Sequence, residues 1–250
     1  MDFFETKAGR RLAYEYVPGN GPGVVFLGGF MSDMTGSKAS DLSNWARESG
    51  RAYLRFDYSG HGQSSGAFTD GSIGDWTEDA VNIISDLTRG PQILVGSSMG
   101  GWISLLVMKT IPQRVAGFVG IAAAPDFTDD MFNHALTEEQ RAEVMGQGQT
   151  LLASEYDEPY PITKKLIEDG REHFVMGEVI PCSVPVRLLI ARGDAVVRTE
   201  TQLALLDVLE TDDARLTVVK GGDHSFSGPA ELRLLRKTVH SVTQAIAGQS

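Results

Sequence analysis

The sequence predicts an α/β fold, a mostly parallel sheet covered on both faces by helices. Short apolar, β-branched runs alternate with longer stretches of helical periodicity, as strands joined by helical crossovers do. Those runs are apolar almost throughout, which marks strands buried on both faces. Between the run Ile93-Leu94-Val95 and the helix-like stretch from Trp102 to Lys109 stands Gly96-Ser97-Ser98-Met99-Gly100. A tight strand-to-helix turn there carries a serine.

Strands are expected at Leu12–Tyr16, Val24–Leu27, Tyr53–Phe56, Ile93–Val95, Val115–Ile121, Val186–Ile190 and Leu216–Val219. Helices are expected near 36–49, 75–88, 99–110 and 200–210, and Thr199-x-x-Gln202 has capping-box spacing at the last of these. The final helix is the clearest. Leu232, Leu235, Val239, Val242 and Ile246 recur at steps of three and four, and Pro229 suits the first turn. From Asp126 to about Gly177 the alternation stops and only helix-like segments are read. One opens at Thr137-x-x-Gln140 and another spans Ile162–Phe174. The expected organisation is one domain over 1–250 with 126–177 as a helical lid above the carboxyl ends of the strands. Its Phe127, Met131, Phe132, Met145, Tyr156 and Tyr160 would give an apolar entrance, with Phe127, Met131, Phe132 and Met145 as the substrate-binding set.

Composition narrows the function. With 22 basic and 33 acidic residues the net charge is −11, which repels phosphate backbones and anionic bilayers and argues against nucleic acid as a partner. The single cysteine, Cys182, excludes an internal disulfide and reads as a small buried apolar side chain. Met1-Asp2-Phe3-Phe4-Glu5 has neither a basic region nor an apolar run of a secretory signal. No window approaches the ~20 apolar residues of a membrane span. The expected compartment is the cytoplasm.

The chemistry centres on Ser98. A serine on such a turn is held in a strained conformation with its hydroxyl raised above the sheet, and Gly96 and Gly100 stand where a Cβ would collide with neighbouring backbone. Serine attacks a carbonyl only if a base takes its proton and an acid orients the base. After the lid two strand ends offer them. Asp194 follows Val186–Ile190 by a short turn, and His224 follows Leu216–Val219 in Lys220-Gly221-Gly222-Asp223-His224. Asp57, ending an earlier strand, and Asp223, adjacent to the histidine, are rival acids. Of the other histidines, His61 is expected to shape the rim, His134 and His173 fall in the lid, and His240 in the last helix. Backbone amides of Met99, at the start of a helix, and Phe30, after Gly28-Gly29, are the expected oxyanion donors.

These residues resemble the α/β-hydrolase superfamily over nearly the whole chain. More narrowly they resemble the branch of the tenth α/β-hydrolase-domain protein of animal mitochondria and its bacterial relatives. The matching stretches are 29–39, Arg55-Phe56-Asp57-Tyr58-Ser59-Gly60, 90–102 and Pro185-Val186-Arg187-Leu188-Leu189, the third being the most specific. The resemblance implies acyl-ester or thioester hydrolysis, including S-depalmitoylation and acyl-glucuronide cleavage, by a triad on Ser98, Asp194 and His224 without metal or organic cofactor. The sequence departs from the branch at the acid. A His-Gly pair is missing, the loop is one residue shorter, and Arg198 stands where proline is expected. A reshaped acid loop follows.

An acyl-ester or thioester hydrolase with a small-molecule or acylated substrate is therefore the expectation. A perhydrolase or peptidase would keep the same triad and differ in the pocket. A non-catalytic binding module of the same fold would have lost a triad member, and Ser98, Asp194 and His224 are all present.

Overall fold

A computed structural model describes residues 1–153 and 159–248. Tyr156 lies outside them. In chain order the strands and helices are β1 (Asp2–Glu5), β2 (Arg11–Val17), β3 (Asn20–Leu27), α1 (Ser37–Ser49), β4 (Arg51–Phe56), α2 (Ile73–Leu87), β5 (Gln92–Ser97), α3 (Met99–Thr110) and β6 (Val115–Ile121). Then come α4 (Phe127–Asp130), α5 (Glu138–Gln147), β7 (Gln149–Leu152), β8 (Tyr160–Thr163), α6 (Lys164–Glu172) and β9 (Ile180–Pro181). The chain closes with β10 (Val186–Ala191), α7 (Thr199–Val208), β11 (Leu209–Glu210), β12 (Ala214–Val219) and α8 (Pro229–Gly248).

The main sheet has eight strands in the order β1-β2-β4-β3-β5-β6-β10-β12. From β4 to β12 neighbours run parallel, whereas β1 with β2 and β2 with β4 are antiparallel. Alternate residues of each central strand serve opposite faces. Val25, Leu27 and Leu94 join Trp76 and Ile83 of α2 and Trp102 and Leu105 of α3. Val24, Phe26, Ile93 and Val95 join Ala39 and Leu42 of α1 and Leu235, Val239 and Val242 of α8. Both faces are buried, which is why these strands read as unbroken apolar runs.

The seven expected strands are all present and close to their expected ends, except that β3 begins at Asn20 rather than Val24. Four further short ones and β1 were not legible. The segment 126–177 differs from the all-helical expectation. It holds β7 and β8, paired antiparallel with Gln149 opposite Thr163 and Leu152 opposite Tyr160. The pairing takes Ile162 and Thr163 out of the expected helix, which starts at Lys164 with the Thr163 hydroxyl accepting from the Leu166 amide. Four-residue strands are too short to display a period. α5 opens as read, with the Thr137 hydroxyl and the Gln140 side chain each accepting from the other's amide at 3.2 and 3.0 Å. α7 does not. Arg198 is its cap residue without a side-chain bond, and Gln202 turns inward so that Nε2 donates to the Ala123 carbonyl at 2.6 Å. Among the described residues no helix is long and apolar enough to cross a membrane.

Candidate active site

Strand register brings together the loops that carry Phe30, Ser98, Asp194 and His224. Leu27 pairs with Gly96 across β3 and β5, and Ser97 with Ile121 across β5 and β6. Ala191 pairs with Val219 across β10 and β12. All these strands are parallel, so the turns after them leave one edge of the sheet side by side, where open α/β sheets collect ligands.

Ser98 has φ 54° and ψ −118°, in the left-handed half of the map that a side chain adopts only under constraint. The constraint is visible. Its amide donates to the Ile121 carbonyl at 2.9 Å, and its carbonyl accepts from Gly101 at 2.8 Å and Ala124 at 3.1 Å. A Cβ on Gly96 would lie 2.5 Å from Ser104 Oγ, and one on Gly100 would lie 2.6 Å from the Gly28 carbonyl oxygen. Only glycine lets β3, β5 and α3 close this tightly.

His224 Nε2 lies 3.2 Å from Ser98 Oγ, and its Nδ1 lies 2.8 Å from Asp194 Oδ2. The other carboxylate oxygen, Oδ1, accepts from the amides of Val196 and Val197, both at 2.8 Å. The Asp194 side chain is 1% exposed and that of His224 26%, so the acid is sealed while the imidazole stays open to a substrate. The two loops touch directly, since a Cβ on Gly193 would sit 2.6 Å from the Gly222 carbonyl oxygen. The acid loop, which departs in sequence from its resembling branch, is thus closed by backbone bonds onto Asp194 itself.

The rival acids are committed elsewhere. Asp57 accepts from the amides of Met34 at 2.7 Å and Gln63 at 2.9 Å, and burial raises its carboxyl above the ordinary range. Asp223 Oδ1 accepts from the amide and hydroxyl of Ser225. His61 does not line a rim. It is 4% exposed inside a ring of Tyr58, Phe68 and Trp76, and burial lowers its pKa to about 4. His134 is exposed, His173 Nδ1 meets the Asp169 carbonyl at 2.8 Å, and His240 faces Gln244 on α8. Cys182 is buried with its thiol pushed up in pKa by desolvation.

Met99 is the first residue of α3, where an amide has no carbonyl one turn back to bond. Gly29 lies against the serine, a Cβ there falling 3.5 Å from Ser98 Cβ, so the Gly28-Gly29-Phe30 loop borders the hydroxyl. The Phe30 ring meets Phe68, Phe127 and Tyr160 edge-on at 4.9, 5.6 and 5.7 Å. Of the four expected pocket residues, Phe127 joins this group and also meets Trp102 at 5.6 Å. Met131 and Phe132 pack with Phe30 onto the insertion's own core of Leu136, Val144, Ile162 and Ile167. Met145 is 39% exposed on α5. Phe68 and Tyr160 had no sequence signal tying them to Phe30, because neither is near it in the chain.

A profile of the Alpha/beta hydrolase family matches residues 24–233. The rat protein named palmitoyl-protein thioesterase ABHD10, mitochondrial (Rattus norvegicus), is 34% identical over 238 residues, covering 94% of this chain and 80% of its own. A crystal structure of a putative hydrolase from Agrobacterium vitis S4 superposes with TM-score 0.92 at 37% identity, over 96% of this chain and 97% of that one. Mouse alpha/beta hydrolase domain-containing protein 10 superposes with TM-score 0.90 at 33% identity, over 98% of each chain. The animal relatives are named mitochondrial, which lends no support to the expected cytoplasmic compartment.

Proposed function

Since the chain belongs to the α/β hydrolase family, we propose that it is a serine hydrolase cleaving esters or thioesters of apolar acyl groups. The observation that carries this reading is the hydrogen-bonded chain from Asp194 through His224 to Ser98, at 2.8 and 3.2 Å. Ser98 Oγ bonds to the acyl carbon as its proton passes to His224 Nε2. Asp194 keeps the imidazole turned toward the serine and stabilises the cation that forms. The negative charge that develops on the acyl oxygen is received by the amides of Phe30 and Met99. Collapse breaks the carbon–oxygen or carbon–sulfur bond, and His224 returns the proton to the leaving group. Water, deprotonated by the same His224, then releases the acid from Ser98.

An apolar acyl group suits the surroundings. The Phe30 ring, next to Gly29 on the loop that borders Ser98, packs with Phe127 and Tyr160, and Ala122, Ala124 and Val197 form an apolar cluster with Ile190 at the ends of β6 and β10. The name of the animal relatives, palmitoyl-protein thioesterase, agrees with that chemistry. In this reading 126–177 serves as a lid on a single domain. A fluorophosphonate probe tests the core of it. Labelling of wild type at Ser98, lost together with p-nitrophenyl ester hydrolysis in Ser98→Ala, is the expected result. Undiminished labelling or turnover in that variant would overturn it.

A further inference from the structure

Lys38 occupies the second position of α1, the helix that follows the Gly28-Gly29-Phe30 loop, yet its side chain serves the opposite side of the site. Its Nζ donates to the carbonyl of Ser225, the residue after His224. Desolvation lowers its pKa to about 8, and the charge of Asp223 opposes this shift. Among the described residues no carboxylate is in ion-pair contact with Nζ. An ammonium taken out of water for one carbonyl is costly to the fold, and a neutral side chain with the same stem would be cheaper. Such local costs gather at functional sites.

The loop it holds has unusual geometry. Phe226, two residues past the histidine, has φ 47°, and its ring, 1% exposed, is buried between α1 and α8 with Ala39, Leu42, Leu235 and Val239. The Asp223 carboxylate binds the Ser225 amide at 3.0 Å and its hydroxyl at 2.6 Å, and that hydroxyl meets Ser227 Oγ at 2.9 Å. These bonds fix the amide side of Ser225 and leave its carbonyl to Lys38. That carbonyl belongs to the Ser225–Phe226 peptide, one link past the peptide that leaves His224, so the Lys38 bond fixes the chain between the base and the strained Phe226.

We propose that Lys38 is a positioning residue: by holding the Ser225 carbonyl it fixes the His224 ring at its distance from Ser98. It couples the loop that supplies the Phe30 amide to the loop that supplies the base. The inference rests on His224 being the base of the proposed hydrolase. Misplacing a reacting group by about 1 Å costs on the order of 100-fold in rate. Lys38→Met keeps the stem and removes the donor. On a p-nitrophenyl ester it should lower kcat by roughly 10- to 100-fold with KM within about twofold. The rate of fluorophosphonate labelling at Ser98 should fall in parallel. Lys38→Arg, which can donate to the same carbonyl, should recover a large part of both rates.

Unchanged kcat and labelling rate in folded Lys38→Met would overturn the proposal. So would a kcat loss shared equally by Lys38→Arg at unaltered melting temperature. Should Lys38→Met fail to fold, Lys38→Gln takes its place and is read by the same criteria. Ser98→Ala run alongside separates the two ideas. If it is inactive while Lys38→Met is normal, only the positioning role fails. If Ser98→Ala stays active, the hydrolase reading fails first.

Discussion

His224 Nδ1 meets Asp194 Oδ2 at 2.8 Å although thirty positions separate the two residues in the chain. The parallel pairing of β10 with β12 makes this possible, because Ala191 and Val219 sit opposite each other and both turns begin level. Asp194→Asn should keep the fold, since Oδ1 can still accept from Val196 and Val197, but reverse the imidazole tautomer. A kcat loss of about 10⁴-fold is expected. Asp223→Asn should stay within about tenfold of wild type on the same assay, as its carboxylate only shapes the loop. Comparable turnover in Asp194→Asn and wild type would assign the acid elsewhere.

Acyl length should raise kcat/KM over the first several carbons. Each methylene buried against the aromatic group at Phe30 adds about 0.8 kcal/mol, or roughly fourfold. Thioesters should react at least as fast as matching oxygen esters, and amides poorly, because sulfur leaves more readily than nitrogen. A series from acetyl to decanoyl p-nitrophenyl esters and their thioester counterparts checks this. A flat profile with good amide cleavage would remove the apolar-acyl reading and leave the triad standing.

His61 predicts an acid-side loss of stability. Its pKa falls from 6.5 to about 4 because burial disfavours the charged ring. Between those values the unfolded chain binds a proton that the folded protein does not, so stability rises with pH across the window. Stability complete above pH 6.5 is therefore lost on going down to about pH 4, by up to about 3 kcal/mol. Denaturant melts of wild type and His61→Phe between pH 4 and 7 should show the steeper slope for wild type. Parallel slopes would mean the ring is protonated in the folded state.

Two glycine-to-alanine changes should go opposite ways. At Gly100 the new methyl would meet the Gly28 carbonyl oxygen at 2.6 Å, forcing α3 off β3. Overpacking of backbone there should cost about 3 kcal/mol or more, or prevent folding. Gly146, inside α5, has no atom within 4 Å of the point a Cβ would occupy. Alanine there should add up to about 1 kcal/mol of helix stability. Thermal melts decide both, and a neutral Gly100→Ala would contradict the tight elbow.

The sequence alone determined what depends on neighbours along the chain. The apolar runs of β3, β5, β6 and β10 announce strands buried on both faces, Thr137 and Gln140 announce the start of α5, and Gly96 and Gly100 announce a turn too close for side chains. Ser98 and the loops of Asp194 and His224 were legible because each follows a strand end at short range. Contacts between distant segments were decided only by the tertiary structure. Asp57 and Asp194 both follow strand ends, and what separates them is that Met34 and Gln63 occupy the oxygens of one while His224 reaches the other. His61 reads as a rim-shaping turn residue until Phe68 and Trp76, from a different turn and helix, close around it. The β7–β8 pair is not legible in the sequence because four residues carry no readable period and each strand exists only by virtue of its partner. Thr199 and Gln202 kept the capping spacing, yet burial under the Ala123 carbonyl redirected Gln202. Local propensity chooses among conformations that differ by a fraction of a kcal/mol, whereas packing and buried hydrogen bonds contribute several, so where the two conflict the tertiary contacts prevail.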